Sequence, residues 1–263
     1  MQLFDLLLNF FNALGAYTIF VISVLSITLY KPPQFKLIRD QMYDIGVLSL
    51  PVVAITGLST GMVLAAQSFF QLSDKGLASA TGLMVAKSML VELGPVLTAF
   101  MVTGRVGASM CAELGTMRVT EQIDALGSMG VNPQRYLVAP RFISGFTMMP
   151  LLTVFSCIMG ILGGYIVAVY VYNMPPNVFL DPLPEHIKLF DFFSGIVKAF
   201  VFGIIIVTIS CFKGMQTKGG AAGVGKSTTQ SVVICYSFIL IINFLLTLFL
   251  NNSYTYINDW LEQ

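Results

Sequence analysis

Long apolar runs separated by short polar segments are the main pattern of the chain. A helix that crosses a bilayer needs about twenty predominantly apolar residues, and five runs reach that length. They cover residues 45–70, 82–104, 142–170, 192–212 and 231–250. The pattern predicts an all-α integral membrane protein with five transmembrane helices, organised as a single domain over residues 1–263.

A sixth apolar run, residues 3–30, precedes these five at the N-terminus. Its length permits a span, but Asn9 and Asn12 interrupt it, and a Lys-Pro-Pro sequence at 31–33 ends it abruptly. A helix that lies flat in the membrane interface can have the same composition. The run therefore predicts either an interfacial helix or a sixth spanning helix.

Small residues recur at four-residue spacing inside two of the apolar runs. Gly57 pairs with Gly61 in this way, and Gly160 pairs with Gly164. Such pairs let the backbones of two helices approach closely in lipid. The spacing predicts close helix packing, either within the chain or between two subunits.

Basic residues are concentrated in alternate connections between the apolar runs. Segments 31–44, 105–141 and 213–229 together hold ten of them. These are Lys31, Lys36, Arg39, Arg105, Arg118, Arg135, Arg141, Lys213, Lys218 and Lys226. The other connections hold only Lys75 and Lys188. By the positive-inside rule, the three basic segments face the cytoplasm.

Composition narrows the possible functions. Charged residues make up 10% of the chain and hydrophobic residues 56%, with a mean hydropathy of +0.82, whereas a soluble domain has about a quarter of its residues charged. The net charge of +1 argues against a nucleic-acid partner, which would need a basic face. One histidine and four widely spaced cysteines form no metal-ligand or disulfide pattern, so we expect no metal and no cofactor.

The connection 105–141 carries an amphipathic pattern over residues 119–130, which predicts a short helix. Its apolar positions are Val119, Ile123, Leu126 and Gly130, and its polar positions are Glu121, Gln122 and Asp124. Thr120 can cap the start of this helix. The helix is either a connector on the membrane surface or a docking element for a partner protein.

Residues 220–227 match the G-x-x-x-x-G-K-[ST] pattern of a P-loop through Gly220, Gly225, Lys226 and Ser227. A working P-loop needs a buried strand before it and a helix after it within a parallel sheet. The runs on both sides here are apolar helices of membrane length. We therefore interpret the segment as a glycine-rich cytoplasmic loop that does not bind nucleotide.

Glu92 lies near the middle of the second apolar run. A carboxylate at that depth is costly unless it faces a cavity, finds a partner or is protonated. Pro95 follows closely and leaves a carbonyl one turn earlier without its usual donor. Glu92 and Pro95 are therefore either part of a lipid cavity or gate, or a polar group satisfied locally. Lys87 and Lys198 lie near helix ends, from which they can reach the interface.

Two more pairs of residues are candidates for function. Gln67 and Phe70 end the first long run, where they belong either to an aromatic belt or to the wall of a lipid cavity. Arg105 and Glu113 lie at the predicted cytoplasmic edge and are candidates for bracing the short helix. Arg105 taken singly is also explained as a positive-inside anchor.

Three function classes fit a chain of this kind. A permease driven by a separate ATPase subunit needs a compact docking element, and residues 119–130 are the candidate for it. A membrane enzyme needs a nucleophile with a base or a pair of acids, and Glu92 has no evident counterpart. A self-contained secondary carrier or channel for an apolar substrate needs several ionisable groups or interrupted helices in the membrane, and it is the alternative interpretation.

Several dense motifs resemble those of the MlaE (YrbE) permease family. They are the Glu-Leu-Gly-Pro segment at 92–99, and segments 104–107, 112–126, 133–141 and 223–229. The resemblance covers roughly residues 35–250. The chain departs from the family at Val91, where a basic residue is common, and at Lys226, where arginine is usual.

The resemblance implies a bacterial inner-membrane ABC transporter permease with five spans and an N-terminal interfacial helix. In that family two copies of the permease bind two ATPase subunits, often with a STAS-domain protein, and an MCE-domain ring lies on the periplasmic side. The family moves phospholipids or related lipids between inner and outer membranes. By the same resemblance, Glu121, Gln122, Asp124 and Leu126 belong to a coupling helix seated on the ATPase.

Overall fold

The computed structural model describes the backbone of residues 2–30, 32–74 and 76–261. All regular secondary structure in these residues is helical. The α-helices are α1 (Gln2–Tyr30), α2 (Phe35–Ile45), α3 (Leu50–Ser73), α4 (Thr81–Ser88), α5 (Gly94–Val102), α6 (Ala108–Val119), α7 (Gln122–Ser128), α8 (Ala139–Ile166), α9 (Pro176–Leu180), α10 (Pro182–His186), α11 (Leu189–Met215) and α12 (Gly220–Leu261). The predicted all-α class is confirmed. Lys31 and Lys75, two of the residues that predict the topology, lie outside the described residues.

Five continuous helical stretches of the described chain are long and apolar enough to cross a membrane. They are Phe35–Ser73, Ala78–Val119, Gln134–Val171, Leu189–Met215 and Gly220–Tyr254. Each contains one of the five predicted spans, which confirms their number and order. The N-terminal run forms the single helix α1, and among its described side chains the apolar part is Leu14–Tyr30.

The connection predicted over 105–141 is mostly helical, which corrects its boundaries. A π-helical segment, Thr103–Gly107, leads from α5 into α6, and another, Gln134–Val138, leads into α8. Hydropathy falls where polar side chains begin, but helical hydrogen bonding continues past that point because it depends on the backbone. Only residues 120–133, which include α7, connect the two long helices.

The glycine-rich segment 220–227 is also helical, so its interpretation as a loop was wrong. Gly219 and Gly220 have φ of +91° and +68°, a left-handed conformation that glycine adopts readily. The chain turns there and α12 begins at once. The glycines that follow therefore belong to the first turns of a long helix.

The chain divides by its internal contacts into two compact units. Unit 1 comprises Met1–Ile45, Thr103–Phe146 and Ile204–Cys235. In unit 1 the Tyr17 hydroxyl lies 2.7 Å from Oγ1 of Thr208, and the Phe20 and Phe212 rings lie 5.4 Å apart. These contacts pack α1 against α11.

Unit 2 comprises Gly46–Val102, Thr147–Gly203 and Tyr236–Gln263. Its helices α3 and α8 approach so closely that a Cβ on Gly61 would lie 1.7 Å from the carbonyl oxygen of Gly160. The small-residue spacing thus serves packing within the chain, one of the two outcomes that it predicted.

Candidate functional site

The charged residues predicted inside the membrane meet in unit 2. Glu92 lies in the π-helical segment Met89–Leu93, and Lys198 lies in α11. Lys198 Nζ is 2.7 Å from Glu92 Oε1, and the lysine side chain is fully buried. A charge-assisted hydrogen bond of this kind is strong in a low-dielectric interior. Lys198 therefore points inward and does not reach for the interface, which corrects its predicted placement.

Pro95 explains a second bond that Lys198 makes. Because proline has no N–H group, the carbonyl of Val91, four residues earlier, has no helical donor. Lys198 Nζ donates a hydrogen bond to this oxygen at 2.9 Å. The structure thus brings Glu92 and Pro95 into one polar site, with a lysine that satisfies both the carboxylate and the freed carbonyl.

Helix α12 completes the site with two polar side chains that the sequence analysis missed. Asn243 Nδ2 donates to Glu92 Oε2 at 3.0 Å, and the Thr247 hydroxyl lies 2.8 Å from Glu92 Oε1. Asn243 and Thr247 are four residues apart and so share a helix face. Polar residues at that spacing in an apolar run are the signal that could have found them. The site is a half-buried polar network built from three helical stretches, in which only Lys198 is fully buried.

A pocket of about 370 Å³ opens beside Glu92. Its lining includes Lys87, Lys188 and Asp191 but neither of the two α3 residues predicted for a cavity. Gln67 is exposed. Phe70 is exposed too, and its ring lies 5.4 Å from that of Tyr172. The structure therefore places Gln67 and Phe70 away from the pocket.

The candidate coupling segment lies in unit 1, and its helix starts later than predicted. Thr120 does not cap it, because the Thr120 hydroxyl donates back to the Thr116 carbonyl oxygen at 2.8 Å. Glu121 follows with a left-handed φ of 61°, so the chain turns sharply between α6 and α7. Val119 ends α6 and does not share a helix face with Ile123.

Helix α7 has one buried side and one exposed side. Ile123 is buried and Leu126 is half-buried. The exposed polar side chains are Glu121, Gln122 and Asp124. Asp124 forms an ion pair with Arg118 of α6, which ties α7 to the helix before it. The remaining exposed side chains are placed where another protein could contact them.

Arg105 and Glu113 hold two different elements of unit 1. Arg105 Nη1 donates to the backbone oxygen of Asp44 at 3.0 Å, in the last turn of α2, where carbonyls lack helical donors. Glu113 Oε2 accepts from Nη2 of the buried Arg141 at 2.8 Å. Arg105 therefore secures α2, and Glu113 secures the beginning of α8.

The P-loop-like residues lie in the first turns of α12. Gly220, Gly225, Lys226 and Ser227 are all helical, and the element before them is α11. A P-loop binds phosphates with the backbone N–H groups of a loop that follows a strand. Those N–H groups are mostly used here in helical hydrogen bonds, so the segment lacks the geometry of a nucleotide site.

Comparison with known proteins gives a consistent match over most of the chain. The family described as Permease MlaE matches residues 38–249. The chain is 43% identical over 236 residues to a "Probable ABC transporter permease protein" of Rickettsia bellii, covering 90% of this chain and 91% of the relative. It is 41% identical over 208 residues to a probable ABC transporter permease of Synechocystis, covering 79% of each.

A third relative carries a more specific name. The chain is 34% identical over 244 residues to the "Intermembrane phospholipid transport system permease protein MlaE" of Haemophilus influenzae. The alignment covers 91% of this chain and 92% of the relative.

Proposed function

Because this chain belongs to the MlaE family of ABC transporter permeases, we propose that it moves phospholipids or related lipids between the inner and outer membranes of a bacterium. It is a multi-pass membrane protein and a permease subunit, and the ATPase that drives it is a separate subunit. This family membership replaces the alternative of a self-contained carrier or channel.

The observation that carries the phospholipid assignment is the likeness to the Haemophilus influenzae protein along nearly the whole of both chains. The five apolar stretches and the half-buried polar network around Glu92 are compatible with a helix bundle that admits an amphiphile. The polar network is the candidate gate, because the Glu92–Lys198 pair joins two long helices.

The proposal extends to the assembly. Two copies of the chain form a homodimer in the inner membrane, each contacting one ATPase subunit through Glu121, Gln122, Asp124 and Leu126. An MCE-domain protein on the periplasmic side and a STAS-domain protein at the ATPase are the further partners that the family resemblance supports.

Reconstitution tests the proposed function. The permease, co-purified with its ATPase and MCE-domain partner, is placed in liposomes that contain a fluorescent phospholipid, with acceptor liposomes outside. We expect ATP-dependent transfer of the phospholipid, and we expect none with an ATPase subunit inactivated at its own nucleotide site. Lipid transfer at the same rate with and without ATP would contradict the proposal. ATP-driven movement of a water-soluble solute in place of lipid would also contradict it.

A further inference from the structure

The pocket beside Glu92 is lined by charged groups of both signs. Lys87 and Glu92 come from one helical stretch, while Lys188 precedes α11 and Asp191 lies in its first turn. Phe190 and Tyr254 add aromatic surface, with ring centroids 4.4 Å apart. The pocket of about 370 Å³ is at the small end of the range for ligand sites, and so it suits a headgroup better than a whole lipid.

The carboxylates of the pocket already have partners. Glu92 Oε1 lies 2.7 Å from Lys198 Nζ, and Oε2 accepts a hydrogen bond from Asn243 at 3.0 Å. Asp191 Oδ2 accepts a hydrogen bond from the backbone N–H of Lys188 at 3.1 Å. Each carboxylate of the pocket therefore accepts at least one hydrogen bond from the protein itself.

The ammonium groups have donors to spare. Lys188 Nζ donates to the Tyr254 hydroxyl at 2.9 Å, which uses one of its three N–H bonds. Lys87 Nζ lies 3.8 Å from Asp191 Oδ2, which is longer than a hydrogen bond. The hydrogen bond to Tyr254 raises the pKa of Lys188, so this amine stays protonated at neutral pH.

The charges around the pocket do not cancel. Glu92 and Asp191 oppose Lys87, Lys188 and the Lys198 that bonds Glu92, which leaves one positive charge in excess. Spare ammonium donors and a positive balance are the features that bind an anionic oxygen group such as phosphate. We propose that this pocket binds the phosphate of an anionic phospholipid headgroup, with Lys87 and Lys188 as its donors.

The inference rests on the proposed function and adds a preference to it. A zwitterionic headgroup has an ammonium group of its own. The net positive charge of the pocket repels this group, and both carboxylates of the pocket already accept hydrogen bonds from the protein. A headgroup such as that of phosphatidylglycerol brings only the negative phosphate. The pocket therefore favours phosphatidylglycerol over phosphatidylethanolamine.

Native mass spectrometry of the complex of permease and ATPase tests this preference. The complex is taken from nanodiscs that hold equal amounts of the two lipids, and the ratio of bound lipids is measured. In Lys87→Gln/Lys188→Gln we expect the ratio of phosphatidylglycerol to phosphatidylethanolamine to fall about tenfold, as the loss of charge-assisted hydrogen bonds predicts. The matched control is Lys36→Gln/Lys218→Gln, which removes two exposed lysines elsewhere and should leave the ratio unchanged.

Two further measurements test whether charge is the cause and whether a lipid is the ligand. Lys188→Arg keeps the charge and the donors, so it should keep the ratio, and its unfolding temperature checks that the region folds. Millimolar sn-glycerol 3-phosphate should not displace the bound lipid. Displacement would show a site for free phosphate esters and would overturn the lipid assignment.

An unchanged ratio in Lys87→Gln/Lys188→Gln, or an equal fall in the control, would also overturn the inference. The proposed function is judged separately by ATP-dependent transfer in liposomes. A wild-type complex that transfers phospholipid without any such preference would retain the function and lose the headgroup pocket.

Discussion

Lys198 depends on Glu92 for its burial. Lys198 is fully buried and bonds both the Glu92 carboxylate and the Val91 carbonyl. Removing one partner of a buried ion pair leaves an uncompensated charge, whereas replacing both can be nearly neutral. Because 34% of the Glu92 side chain is exposed, we expect Lys198→Met to lower the free energy of unfolding by up to about 3 kcal/mol, the lower end of the range for a fully buried pair. Glu92→Gln/Lys198→Met should recover most of that loss, as measured by unfolding in detergent.

The control for this pair is Lys218→Met, which changes an exposed lysine and should alter the free energy of unfolding by no more than about 0.5 kcal/mol. If Lys198→Met changed the free energy of unfolding as little as the control does, the ion pair would have no structural role. A double variant less stable than Lys198→Met would equally contradict the interpretation.

Single residues of this site differ in how well the sequence predicts them. Glu92 stands out because a carboxylate is rare in an apolar run, and Pro95 is noticed because it lies three residues after it. Lys198 was found but misplaced, because its distance from a helix end says nothing about which way its side chain turns. Asn243 and Thr247 were missed, since their role depends on the rotation of α12 relative to Glu92.

At the scale of elements, the contact between α3 and α8 depends on glycine. A Cβ at Gly61 would overlap the carbonyl oxygen of Gly160, whereas one at Gly225 in α12 would meet nothing within 4 Å. We expect Gly61→Ala to lower the free energy of unfolding by about 1–3 kcal/mol or more, because the helices must separate. Gly225→Ala should be neutral or stabilising by up to about 1 kcal/mol. Equal effects in thermal unfolding of the two variants would contradict this account.

Helix α7 is the element that we expect to transmit ATP hydrolysis to the permease. Glu121 immediately before it and Asp124 within it are both exposed, and losing one partner of a charged contact at an interface costs about 2–5 kcal/mol. Glu121→Lys/Asp124→Lys should therefore leave the chain folded and inserted but stop lipid transfer, and either release the ATPase or uncouple its hydrolysis. Co-purification, ATPase rate and lipid transfer measure the three effects.

The matched control for α7 is Asp181→Lys, a charge reversal at an exposed residue in another connection. It should keep the ATPase bound and transfer intact. The α7 variant also breaks the ion pair of Asp124 with Arg118. This exposed pair contributes about 1 kcal/mol or less to stability. Asp124→Asn measures the effect of breaking this ion pair without a charge reversal. Normal association, coupling and transfer after both reversals would make α7 a simple connector.

The elements of the connection between the second and third spans were predictable only in outline. A short amphipathic helix was expected and α7 exists, but the turn at Glu121 was not. Threonine is a common helix cap, whereas a glutamate with positive φ is uncommon. The tertiary contacts of α6 and α7, and not the local preferences of Thr120 and Glu121, set where one helix ends and the next begins.

For the whole molecule, the distribution of charge predicts the orientation in the membrane. The described cysteines, Cys111, Cys157, Cys211 and Cys235, are all buried, so introduced thiols should be labelled above a low background. In intact cells we expect a membrane-impermeant maleimide to label Asp181→Cys and to miss Gln122→Cys. After the membrane is opened, both should react. Labelling of Gln122→Cys alone from outside would reverse the proposed topology.

The number and order of the spans were predictable because hydropathy is summed over about twenty residues, which makes the result insensitive to any one of them. The ends of the helices were not predictable in this way. Helix α12 begins at Gly220, well before the apolar run at 231, because backbone hydrogen bonds continue into a segment whose composition resembles a loop. Composition reports the solvent around a segment more directly than its backbone conformation.

The π-helical segment Met89–Leu93 has a consequence for how this chain can vary in length. A π-helical turn holds one residue more than the α-helical ladder requires, so the segment can lose a residue and stay helical. Such a deletion would rotate everything on one side of it by about 100° relative to the other side. Lys87 and Pro95 flank the segment, so their side chains would then face different neighbours. Loss of one codon here would rotate one part of the helix relative to the other and would not break the helix.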